Sequence, residues 1–211
     1  MGSHLGGLLD GTGRWEWRTF ARSLSSIGLG LNAESAGIPI TREHYVLSIA
    51  SVHNVKIRDD CLDIKTLVKV DALGLQQWLP TFKAPFPVEA KALDAAWSAW
   101  GLPHPVVERT IYTLEEFLRE IVGREKSLRA VAVEKHRMRL LVQGCPGERV
   151  ALRIEGEAWE SVSFENVDPY RVWRAVRALG LENAENTSYP LALKRIVGFQ
   201  LVEQTEKMET V

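Results

Sequence analysis

The chain has 211 residues, 45% hydrophobic and 25% charged, with a formal net charge of −1. That length suits one domain with a sizeable core, and the near-neutral balance excludes a general nucleic-acid binder, so any basic site must be local. Cys61 and Cys145 belong to no CxxC or Cys/His cluster, which excludes a disulfide framework and a zinc site and fits reduced thiols in a cytoplasmic protein. No apolar run reaches membrane-spanning length, and no leader pattern is visible.

Residues 1–13 are Gly-rich and read as a flexible N-terminus, with Met1 to His4 as an expression scar. A single domain is expected over 14–200, followed by a polar tail over 201–211. Arg14 to Ala21 alternates aromatic and charged residues, a strand with one polar face. Residues 22–40, rich in Ser and Gly, read as a loop. Strands follow at His44 to Ser51, Asn54 to Arg58 and Leu62 to Val70, the last two joined by an Asp59-Asp60 turn. Asp71 to Trp78 reads as a short helix capped by Asp71, and Pro80 to Pro87 as a break. Val88 to Trp100 has helical spacing, and Thr113-Leu-Glu-Glu116 is a capping box opening a helix to about Val122.

Ser127 to Val142 is a long strand, turning at Gly144 to Gly147 into Glu148 to Glu155. Ala158 to Phe164 is a further strand. Asp168-Pro169 opens a helix that stops at Gly180, and a last helix spans Ser188 to Val197. Hairpin-linked strands with helices between and after them predict an α+β fold, an antiparallel barrel or tunnel of about eight strands with helices packed outside.

The chemistry is carried by cations on single strand faces, because side chains at i and i+2 point the same way. Lys56 and Arg58 share a face; so do Asp63 and Lys65, and so do Lys135, Arg137 and Arg139. For one such pair a solvated surface is the plainer explanation. Repetition on three strands points instead to a concave site for a polyphosphate, which needs several charge-assisted contacts. Glu16 shares its face with Arg14 and Arg18, and Glu165 shares its face with Ser161 and Ser163. These two carboxylates could hold a hard divalent cation or serve as counter-ions; Asp63 reads as a counter-ion. His136 lies on the opposite face from Lys135 and Arg137. No P-loop, GxSxG elbow or HExxH motif occurs, and Trp97, Trp100 and Trp173 stand at packing positions.

Arg14-Trp-Glu16-Trp-Arg18, Lys56-Ile-Arg58, Asp63-Ile-Lys65, Glu134-Lys135-His-Arg137, Ser163-Phe-Glu165 and Thr187-Ser-Tyr189 with Lys194 follow one another in an order that resembles the CYTH superfamily, the triphosphate tunnel metalloenzymes. The resemblance spans roughly Arg14 to Gly198. It departs from the family pattern at Arg14 and Ser163, where the family carries acids. The opening segment also resembles the polyphosphate polymerase domain of the vacuolar transporter chaperone type. The resemblance implies an anionic small-molecule ligand, a triphosphate or polyphosphate, held by Lys56, Arg58, Lys65, Lys135, Arg137 and Lys194, with Arg18 and Arg139 on the same faces. It implies Mg²⁺ or Mn²⁺ on Glu16 and Glu165, which would be the catalytic acids, and metal-assisted phosphoryl transfer. The alternative is a catalytically weakened module that binds a phosphate-rich ligand or nucleotide.

Overall fold

A computed structural model describes residues 7–8, 12–25 and 38–199. In chain order the strands and helices are β1 (Gly7–Leu8), β2 (Arg14–Ala21), β3 (Thr41–Ser48), β4 (Asn54–Arg58), β5 (Cys61–Val70), β6 (Gln76–Pro85), β7 (Val88–Glu89), α1 (Leu93–Trp100), β8 (Ile111–Tyr112), α2 (Leu114–Glu116), β9 (Leu128–Val142), β10 (Cys145–Ile154), β11 (Glu157–Asn166), α3 (Pro169–Ala178) and α4 (Tyr189–Ile196). Neighbours run β6-β2-β11-β10-β9-β3-β4-β5, and β5 pairs back onto β6. Eight antiparallel strands thus close into a barrel, the predicted α+β architecture, and closure removes the sheet edges.

Alternation sorts each strand into two faces. The outward residues Val46, Val55, Ile57, Leu62 and Ile64 form one core with α1 and with Phe117 and Ile121 of the π-helical turn after α2. Trp15, Trp17, Val162 and Phe164 form another under Val172, Ala175 and Val176 of α3. Each such buried side chain is worth about 1.5–3 kcal/mol relative to exposure, so the helices are fixed by the strands' outer faces and part of the inner face is left for polar groups. Helix starts follow the sequence signals: Thr113 forms the full capping box, Asp168 caps α3 ahead of Pro169, and Ser188 caps α4.

The structure corrects the reading of residues 71–87. Asp71 does not cap a helix. Its Oδ1 accepts from the backbone N–H groups of Leu73 and Leu75, closing a tight turn completed by Gly74 at φ 77°. The chain then runs as β6 through Pro80 to Pro85, the strand that closes the barrel. Proline is tolerated because β2 pairs with β6 only over Gln76 to Trp78, so Pro80 lies beyond that ladder, beside a register shift between β5 and β6. The predicted helix from Val88 divides into β7, paired with β8, a 3₁₀ turn at Ala90–Ala92, and α1. The hairpin turn predicted at Gly144 to Gly147 sits at Gln143 and Gly144. Most of the predicted 22–40 loop, residues 26–37, lies outside the described residues, as does the tail over 201–211. Among the described residues no helix is long and apolar enough to cross a membrane.

Candidate functional site: a cation-lined tunnel

Inside the barrel lies a cavity of about 340 Å³ lined by eight cationic side chains, Arg14, Arg18, Lys56, Arg58, Lys65, Lys135, Arg137 and Arg139, and by three carboxylates, Glu16, Glu148 and Glu165. Register explains the convergence. Tyr45 stands opposite Lys56, which stands opposite Asp63; Arg139 opposite Glu148, opposite Ser163, opposite Arg18; and Glu165 opposite Glu16. Directly opposed side chains lie about 4.5–5.5 Å apart at Cβ, so widely separated motifs become one wall.

At the base of the cluster is Glu43, fully buried. Its carboxylate accepts from Lys135 Nζ at 2.8 Å and Tyr45 Oη at 3.2 Å, pairs with Arg137, and has Lys56 Nζ at 3.6 Å. Burial alone would raise its pKa; Lys56, Lys135 and Arg137 override that and hold it far below the usual carboxylate range. The lysines bear the opposite strain. Burial pushes Lys135 down to about 7, Arg18 and Arg137 adding to the effect against the pull of Glu43. Burial likewise brings Lys56 to about 8, with Lys135 and Arg58 adding to it. Lys135 also donates to Tyr45 Oη at 2.6 Å and lies 3.8 Å from the centre of the Tyr189 ring.

The inner faces of β3, β9 and β10 turn apolar away from the cations. Leu47, Val131, Val133, Val150, Leu152 and Ile154 pack there with Tyr189 and Leu193 of α4. Helix α4 therefore plugs one end of the barrel, and Ser188 and Tyr189 form the floor of the cavity.

Seven of the eight expected ligand-binding cations line the cavity. Lys194 does not: its ammonium donates to the Ser51 carbonyl and ties α4 to the β3–β4 loop. Asp63 is a counter-ion, 3.9 Å from Lys56 and 3.7 Å from Arg58. His136 is exposed beside Glu134, on the outer face as expected. Sequence reasoning passed over Glu43, Tyr45 and Glu148; parity within β3 would have placed Glu43 and Tyr45 on one inner face.

The chain folds as a closed, cation-lined β-tunnel. Neither a protein-family model nor a curated protein sequence matches it. Solved structures similar to it include a candidate adenylyl cyclase from Hippeastrum reported with a dominant triphosphatase activity, at 12% identity over 86% of this chain and 95% of that one, TM-score 0.46. A candidate adenylate cyclase from Bacillus halodurans is 13% identical over 89% and 97%, TM-score 0.44. A conserved hypothetical protein from Pyrococcus furiosus is 14% identical over 84% and 98%, TM-score 0.44.

The divalent cation implied by the sequence resemblance meets a poorly suited donor set. Glu16 accepts from Arg18 Nε at 2.8 Å, Glu165 lies 3.6 Å from Arg14 Nε, and Glu148 lies 3.9 Å from Arg137 Nε. No group of three or more His, Cys, Asp or Glu side chains able to hold a metal occurs among the described residues. Hard cations need several oxygen ligands, and here each cavity carboxylate already faces an arginine. The residues present do not fit the metal.

Proposed function

We propose that the protein binds a triphosphate- or polyphosphate-bearing small molecule inside the tunnel. The observation that carries this reading is the convergence of eight cationic side chains on the wall of one cavity in a protein whose overall charge is −1. Gathering eight like charges on one wall, with Arg18, Lys56 and Lys135 buried, is unfavourable, and a multiply charged anion relieves it through charge-assisted hydrogen bonds. Arg137, hydrogen-bonded to Glu43 and Thr41, is held in place to present its remaining N–H groups to the ligand.

Hydrolysis is a second reading, supported by Lys135. A buried amine with a pKa brought to about 7 and linked to Tyr45 can take a proton from a water attacking the terminal phosphorus. The phosphorus–oxygen bond to the rest of the chain then breaks, and the arginines stabilise the charge on the leaving oxygen.

Titration calorimetry with tripolyphosphate tests binding. Arg137→Ala is expected to cost about 1.5–3 kcal/mol of affinity, Arg137→Lys to recover only part, and the outer-face control His136→Ala to match wild type. Equal affinity in all these proteins removes the tunnel from the ligand site. Phosphate release from tripolyphosphate, nucleoside triphosphates and thiamine triphosphate, in chelator and with Mg²⁺ or Mn²⁺, tests hydrolysis; no release alongside retained binding leaves a binding module.

A further inference from the structure

Glu16 and Glu165 face each other across β2 and β11 near the open end of the barrel. Each is already paired. Arg18 is hydrogen-bonded to Glu16, and burial of that pair leaves the guanidinium held firmly protonated by the carboxylate. Arg14, two residues before Glu16 on the same inward face, lies 3.6 Å from Glu165. Two carboxylates matched by two guanidiniums make a locally neutral patch, whereas a dication needs a negative one. A metal ion placed there would also face the remaining cations of the same wall, which repel it.

Arg14 has the opposite fit. Its side chain is 57% exposed at the rim of the cavity, so it can leave Glu165 and swing onto an entering anion, with a planar fork suited to phosphate oxygens. We propose that the tunnel takes its ligand as the free polyanion, without a divalent cation, and that Arg14 supplies at the mouth the positive charge a metal ion would otherwise bring. This rests on the anion-binding reading of the tunnel.

The test is tripolyphosphate affinity by calorimetry, first in EDTA and then with excess Mg²⁺ or Mn²⁺. Binding in EDTA is expected to equal or exceed binding with metal, because a chelated phosphate chain presents less charge to the cations. Arg14→Glu should weaken metal-free binding roughly tenfold, on the scale of one charge-assisted contact, and make binding respond favourably to Mg²⁺. Arg14→Lys should recover part of the metal-free affinity. Melting curves confirm that these rim variants fold. Wild-type binding seen only with metal overturns this inference and leaves the tunnel reading intact. A metal-free affinity unchanged in Arg14→Glu overturns the role of Arg14. No binding under either condition sinks both readings.

Discussion

At Glu43 one carboxylate, fully buried, organises three cations from two other strands. It leaves the surrounding lysines only partly compensated, and that imbalance sets the pH behaviour. Lys135 and Lys56, lowered to about 7 and about 8 against an ordinary 10.5, lose protons just where an anion would need them charged. Tripolyphosphate affinity should therefore fall as pH rises from 6 to 9, and binding near pH 7.5 should take up protons, visible as a dependence of calorimetric heat on the ionisation enthalpy of the buffer. Stability of the empty protein should move the other way. Between the lowered values and 10.5 the unfolded chain binds more protons than the folded one, so this pair's contribution to unfolding free energy rises with pH across that window. An affinity flat over pH 6–9 would mean the two lysines do not meet the ligand. Most of this site was readable from sequence because strand parity alone puts Lys56 with Arg58 and Lys135 with Arg137. Glu43 was not, because the strand was expected to begin at His44, three residues after its start at Thr41, and residues 41–43 were assigned to no element.

The elements that sequence patterning resolved are those whose outer faces bury apolar residues at period two, β2, β4, β5, β9 and β11, and the helices announced by caps at Thr113, Asp168 and Ser188. Strand β6 escaped for a physical reason. Its prolines normally mark a break, and an Asp ahead of Leu and Gly imitates a helix cap; only the barrel's register, pairing β6 with β5 along its length but with β2 over three residues, makes a strand there acceptable. A second feature visible only in the fold is Gly147 at the start of β10. A Cβ at that position would lie 2.6 Å from the Phe164 ring and 2.6 Å from the Ser163 carbonyl. Gly147→Ala should lower stability by about 1–3 kcal/mol, the usual range for overpacking, because Phe164 is fully buried under α3 and cannot withdraw. Thermal unfolding checks this, and an unchanged melting temperature would show that β10 and β11 can separate there at no cost.

On the scale of the whole molecule, a chain of net charge −1 carries no attractive long-range field, so ligand capture depends on the mouth of the barrel rather than on steering from a distance. The other end is filled by the apolar packing of Tyr189 and Leu193 against β3, β9 and β10. Among the described residues, a bore closed at that end has a single port. Whatever enters phosphate-first must back out by the same route, so a spent ligand has to depart before a fresh one can follow, and a polymer cannot be threaded through and worked along its length. Affinity for linear polyphosphates should therefore climb with chain length only until the 340 Å³ bore is filled and then level off, with further units dangling in solvent. A calorimetric series of defined chain lengths would display that plateau, and a steady rise would mean that α4 swings aside to open a second port.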